Sequence, residues 1–387
     1  MPTYSRLPVS FTRGEGVRLW DSDGVSYLDA LGGIAVAVLG HAHPEVAEAI
    51  CEQSRSLIHS SNLYRIEEQE KLGERLCRIA GMKQAFFSNS GAEANEAAIK
   101  LARRYGHQKG IGSPSIVVTE GAFHGRTMAT LTATGNRKVQ AGFEPLVTGF
   151  RRVPFNDLDA VRHVASHDPD VVAVMVEPIQ GEGGIQVPSP DYLKGLARLC
   201  LENQWLLMLD EIQTGMGRTG RWFACQHHGV KPDVLTVAKA LGNGIPIGAC
   251  LASGPAVDVL TGGAHGSTFG GNPFACRVAL TVIDILEKTD ALSNAQRQGA
   301  RILAGLDARR GDLPGIRSMR GLGLMLGVEL DEPCREIMRL ALQEEHLLVN
   351  VTADTVIRLL PALIYRDEDS DEVVERLVRT IKRFYGK

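Results

Sequence analysis

At 387 residues the chain exceeds what one hydrophobic core usually supports, so a large domain with a smaller companion is expected. Its 42 Lys and Arg against 45 Asp and Glu, a net charge of −3, give no electrostatic basis for nucleic-acid or anionic-membrane partners. Seven dispersed cysteines without a C-x-x-C pair, no bilayer-length apolar run and an N-terminus (MPTYSRLPVSFTRGEG) without an apolar h-region together predict a cytoplasmic protein with reduced thiols.

Residues 1–60 carry two strand-like runs, VRLWD and VSYLDA, then a helix from about Pro44. From residue 84 to 275 continuous apolar runs recur: QAFF (84–87), SIVVT (115–119), VVAVMV (171–176), WLLML (205–209), VLTVA (234–238) and IGACLA (247–252). Such runs suit strands buried on both faces. Helical patterns lie between several of them. Glu93–Tyr105 puts Ala94, Ala98, Leu101, Ala102 and Tyr105 on one face, and Asp191–Asn203 also reads as helix. The alternation predicts an α/β fold, a mostly parallel sheet with helices on both sides. A long helix near Asn272–Glu287 then leads to strands GLMLGVEL, LLVNV and VIRLL and a closing helix, DEVVERLVRTIKRF. The two ends are expected to form a small α+β domain. Residues 1–60 are its N-terminal segment, 61–271 the large domain, and 272–387 the connecting helix and C-terminal part.

Ligands of open parallel sheets sit beyond the carboxyl ends of the strands. There QAFF leads to SNSGAEANE, SIVVT to EGAFHGR, VVAVMV to EPIQGEGG, WLLML to DEIQTGMGRTG and VLTVA to KALGNG. SNSGAEANE reads equally as a capping box, Ser90 with Glu93, or as an anion site on the N–H groups of Gly91 and Ala92. Lys239 either snorkels to solvent or is held partly desolvated because its amine reacts. Asp210, 29 positions earlier (210 to 239), either caps its turn or faces a cationic ring nitrogen. A lysine for an aldehyde and an acid for a pyridinium nitrogen are what pyridoxal phosphate requires.

Rival patterns are weaker. No G-x-x-x-x-G-K-[ST] accompanies WLLMLDE. Gly215, Gly217 and Gly220 form G-x-G-x-x-G with Asp233 beyond, which keeps a nicotinamide dehydrogenase as a distant competitor, although DEIQT separates the strand from the first glycine. His41 and His43 lack companions for a metal site, and none is predicted. Glu177 and Glu182 share one glycine-rich loop, unlike a glycosidase pair.

Taken together, GGIAVAVLGHAHP, FFSNSGAEANEAAIKLAR, AFHGRT, VEPIQGEGG, LDEIQTGMGRTG, AKALGNGIPIG, HGSTFGGNP and VNVTADTVIRLLP give a chain that resembles the class III (ornithine-type) aminotransferases, fold-type I pyridoxal phosphate enzymes, over nearly its full length. LDEIQTGMGRTG followed by the lysine is the most specific element. The resemblance implies pyridoxal 5′-phosphate as cofactor, with Lys239 carrying its aldehyde and moving the substrate proton. It implies Asp210 on the ring nitrogen, Gln213 on the phenolic oxygen, Phe123 stacked on the ring, and Ser90, Gly91 and Ala92 around the phosphate. Thr268 is implied to complete the phosphate site from a partner subunit, with Ser267 beside it toward the substrate, which requires a homodimer. Arg126 is implied to clamp a substrate carboxylate, Arg358 the α-carboxylate of glutamate or 2-oxoglutarate, and Glu182 to neutralise Arg358 when the other substrate is bound. The activity implied is transfer of the δ-amino group of N2-acetylornithine to 2-oxoglutarate, in arginine biosynthesis. Close relatives take succinyldiaminopimelate, succinylornithine, ornithine or 4-aminobutyrate. Relatives that use free ornithine carry a tyrosine where Gly33–Val38 offers only small apolar side chains, which favours an acylated donor.

Overall fold

The structure is a computed structural model, described over residues 1–386. Three short N-terminal strands, β1 (Phe11–Glu15), β2 (Arg18–Asp21) and β3 (Ser26–Asp29), form an antiparallel meander. The central sheet has seven strands: β4 (Gln84–Ser88), β5 (Ser115–Thr119), β6 (Phe150–Val153), β7 (Val171–Val176), β8 (Leu206–Asp210), β9 (Val234–Val237) and β10 (Gly248–Ala252). Their spatial order is β4-β10-β9-β8-β7-β5-β6. Every residue of β5, β7, β8, β9 and β10 is buried, the environment their unbroken apolar runs demand. The edge strand β4 departs from that pattern, with Gln84 exposed and Ala85 and Phe86 half-buried.

Four ladders of this sheet are parallel, whereas β10 runs antiparallel to both β9 and β4. A parallel return needs a crossover of a dozen or more residues. Only 238–247 separate β9 from β10, so the chain doubles back. One consequence places the site. β4, β5, β7, β8 and β9 all point the same way, and their carboxyl ends share one rim.

The helix Gly91–Gln108 lies on the sheet through Ala94, Ala97, Ala98, Leu101 and Ala102, small residues that let it sit close. The helix Pro273–Lys288, capped by the Asn272 side chain and with proline at its first position, is buried around most of its circumference. It packs against helices Pro44–Ser56 and Glu67–Ala80. Beyond it, β11 (Ile316–Leu322), β12 (Met325–Leu330), β13 (Leu347–Leu348), β14 (Asn350–Thr352) and β15 (Val356–Leu359) precede the closing helix Asp367–Phe384. β11-β12-β15-β14 form an antiparallel sheet, and β13 pairs in parallel with β3, so both ends of the chain meet. No helix among the described residues is long and apolar enough to cross a membrane.

Candidate active site

At the end of β9, Ala238 turns the chain and Lys239 adopts a left-handed φ of 45°. A non-glycine residue held there costs on the order of 1–3 kcal/mol and persists only where the surroundings fix it. Lys239 lines a pocket of about 400 Å³ on the common rim. Burial lowers its amine below the ordinary lysine value and the Arg358 charge lowers it further, while Glu182, Asp210 and Glu177 pull the other way. The amine is thereby moved toward its neutral, nucleophilic form.

Asp210, the last residue of β8, lines the same pocket and is buried. Its Oδ2 accepts from Nδ1 of His124 at 2.8 Å and Nδ2 of Asn95 at 2.8 Å, and Oδ1 accepts from the Ile212 N–H at 3.1 Å. Asn95 is oriented in turn by Thr236, whose hydroxyl donates to Oδ1 at 2.8 Å, and by donating to the His124 carbonyl at 2.8 Å. Three donors thus present Asp210 as an acceptor. His124 Nε2 is buried without a protein partner.

On the opposite wall the helix Gly91–Gln108 begins. Ser90 caps it by accepting from the Glu93 N–H at 3.2 Å, but the Glu93 carboxylate turns back to Asn89, so the capping box is only half formed. Gly91 and Ala92 are the first helical residues, with N–H groups that have no partner within the helix. A Cβ at Gly91 would lie 2.8 Å from Ile212 Cδ1, so glycine is what lets this N-terminus close over the pocket. Phe123 lines the pocket as well, with the Arg126 guanidinium 5.6 Å from its ring centre at the mouth. Asn243 fastens the N-terminal segment to the lysine loop by accepting from the Leu39 N–H at 2.8 Å. Of Gly33–Val38, Val36 alone lines the pocket, because left-handed residues at Gly33, Ile34 and Ala35 turn the others away.

A second chamber shares Phe123 and Arg126 and is bordered by Glu182. Arg358, on β15, is fully buried. Its Nη1 donates to Glu182 Oε1 at 2.7 Å and Gln213 Oε1 at 3.2 Å, and Nε to Asn350 at 3.0 Å. Nη2 has no partner. An unpaired buried guanidinium N–H is costly, and a carboxylate is the group that would satisfy it. Ser267 and Thr268 lie outside both chambers: Ser267 bonds Asn89 at 3.2 Å and Thr268 is exposed.

Gly215, Gly217 and Gly220 open no helix. Their backbone turns against Phe223, Leu363 and Gln296, contacts that leave no room for a Cβ, so these glycines serve packing rather than a dinucleotide. His41 Nε2 donates to Asp29 Oδ2 at 2.8 Å.

The aminotransferase class-III family model matches residues 2–381. The chain belongs to the class III aminotransferases. An acetylornithine aminotransferase of Nitrosomonas europaea is 55% identical over 384 residues, 99% of this chain and 98% of the relative. One of Methanocaldococcus jannaschii is 46% identical, covering 97% and 94%. Among solved structures, ornithine aminotransferase of Toxoplasma gondii superposes with a TM-score of 0.95 at 34% identity over 100% of this chain and 93% of that one. N-acetylornithine aminotransferase of Stenotrophomonas maltophilia does so with 0.85 at 35%, over 99% and 98%.

The fold is therefore that of the fold-type I enzymes, and the cofactor of this aminotransferase is pyridoxal 5′-phosphate. The dehydrogenase alternative falls with the family. The residues present fit the cofactor on structural grounds: a desolvated lysine, a buried acceptor carboxylate and a helix N-terminus that a glycine keeps open line one pocket. His124, Asn95 and Ile212 were not singled out from sequence. AFHGRT placed His124 at a strand end, but only folding shows that Asn95, one turn into its helix, reaches Asp210.

Proposed function

We propose that this aminotransferase transfers the δ-amino group of N2-acetylornithine to 2-oxoglutarate, giving N-acetylglutamate 5-semialdehyde and glutamate, as a cytoplasmic homodimer. Bound pyridoxal phosphate supplies the electron sink for the carbanion formed when the substrate carbon loses its proton. Lys239 holds the cofactor and carries that proton, Asp210 keeps the ring nitrogen protonated, and Gln213 bonds the phenolic oxygen. Phe123 covers the ring. Ser90, Gly91 and Ala92 receive the phosphate, with Thr268 reaching it from the partner subunit and Ser267 beside it toward the substrate.

The observation that carries the reading is the Arg358–Glu182 pair with its unsatisfied Nη2. Glutamate has a carboxylate beside its reacting carbon, and a terminal-amine donor has none. With glutamate, Arg358 binds that carboxylate and Glu182 withdraws; with the donor, Glu182 keeps Arg358 neutralised. Arg126, exposed at the mouth, takes the remaining carboxylate of either substrate. The Nitrosomonas and Methanocaldococcus relatives, both acetylornithine aminotransferases, support the choice of donor, as does the apolar Val36.

A homodimer is supported by an exposed apolar strip, Ile58, Leu63, Tyr64 and Phe269, contiguous with Ser267 and Thr268. Single-turnover kinetics of the two half-reactions test the proposal. Arg358→Ala should slow the glutamate half-reaction about 10²–10³-fold, with most of the roughly 3–5 kcal/mol of a broken buried pair entering the barrier, and spare most of the acetylornithine half-reaction. Equal losses in both would refute the exchange.

A further inference from the structure

At the end of β7 stands a buried carboxylate that none of these roles uses. Glu177 is 5% exposed. Its Oε2 accepts the Phe123 N–H at 2.9 Å and its Oε1 accepts the Gly181 N–H at 3.2 Å. No cation is paired with it among the described residues. The two N–H groups belong to different loops. One carries Phe123, His124 and Arg126; the other carries Glu182, whose carbonyl accepts from the Thr352 hydroxyl. The two loops lie close together, since a Cβ at Gly183 would lie 2.8 Å from the Gly121 carbonyl oxygen.

We propose that Glu177 is a positioning residue, a two-point clamp that fixes the Phe123 loop against the Glu182 loop and so sets the distance between the cofactor half and the carboxylate half of the site. The proposal rests on the pyridoxal phosphate reading of the pocket. Only an ionised carboxylate does this without conflict. Glutamine offers one acceptor oxygen and an NH₂ that faces the second N–H, and a protonated acid offers an O–H in the same place. Gln180 also spans the two segments, its side chain donating to the Glu120 carbonyl at 2.7 Å, but that side chain bonds neither the Phe123 nor the Gly181 N–H.

The clamp is titratable. Burial pushes Glu177 up to about 7; His124 opposes this, the Asp210 carboxylate adds to it, and the two N–H groups hold it down. The charged and titratable groups facing it are His124 from the loop after β5, Asp210 from β8 and Lys239 from beyond β9.

Glu177→Gln should release cofactor more readily from the holoenzyme, with a dissociation constant raised on the order of tenfold in equilibrium dialysis. It should also change the ratio of kcat/KM for glutamate to that for the amine donor, while the melting temperature stays within a few degrees. An unchanged constant and ratio beside a lowered melting temperature would reduce Glu177 to a structural residue and overturn the proposal. Should the variant not fold, wild-type hydrogen exchange decides. Corrected for intrinsic rates, protection of the Phe123 and Gly181 amides should fall between pH 8 and pH 6, and equal protection would overturn the clamp. Failure of the cofactor reading itself looks different: wild-type protein would then show no borohydride-sensitive absorbance band.

Discussion

Lys239 combines two unfavourable features, a left-handed backbone and a desolvated amine, at one position. A structural lysine has no reason to keep both. Its pKa in the fold lies below 10.5, so the protonated form is disfavoured in the folded state; the resulting penalty is full below the folded value and vanishes as pH climbs past 10.5. Lys239→Ala should therefore abolish turnover without lowering the melting temperature of cofactor-free protein at pH 7, and any gain over wild type should shrink toward pH 10.5. Differential scanning calorimetry across that range, beside a turnover assay, checks both. Asp210→Ala leaves the His124 and Asn95 donors unpaired and removes the carboxylate proposed to pair with the ring nitrogen. With most of the roughly 3–5 kcal/mol entering the barrier, turnover should drop about 10²–10³-fold, and a loss under tenfold would mark the carboxylate as structural. Lys239 and Asp210 were legible because each ends an apolar run, a local pattern. The Asn95–Asp210 and Arg358–Glu182 contacts span 115 and 176 positions, and no local pattern encodes them.

Among the elements, the helix Gly91–Gln108 and the 238–247 return between β9 and β10 shape the site most, since residues of both line the pocket. The strand runs came through in the sequence because full burial on both faces leaves an unbroken apolar signature, and β7 and β5 begin and end where their runs do. The antiparallel sense of β10 is set by the short 238–247 return rather than by composition. The small apolar stretch Gly33–Val38 suggested a continuous wall; the left-handed turn there leaves Val36 as its only pocket residue, a backbone effect that side-chain character cannot reveal. At the helix start, Gly91→Val would drive its side chain into Ile212. It should weaken cofactor binding at least tenfold with helix content intact, measurable by cofactor titration beside circular dichroism, and unchanged affinity would argue against a phosphate at this N-terminus.

For the molecule as a whole, the N-terminal and C-terminal parts of the chain join in the β3–β13 pairing. The exposed strip through Leu63, Tyr64 and Phe269 would be covered in the proposed homodimer. Tyr64→Glu with Phe269→Glu should yield a monomer by sedimentation that retains cofactor poorly; a fully active monomer would remove the shared-site requirement. Substrate choice is the central claim at this scale, because it depends on both chambers together. In the proposed placement the α-ammonium of free ornithine would face Val36 without a partner, a cost of about 1–3 kcal/mol that acetylation would remove, while Arg126 would hold the carboxylate in either case. The decisive measurement is kcat/KM for N2-acetylornithine, ornithine and 4-aminobutyrate with 2-oxoglutarate as acceptor. N2-acetylornithine should exceed ornithine by roughly ten- to a hundredfold, and equal efficiency with ornithine, or a preference for 4-aminobutyrate, would contradict the assignment.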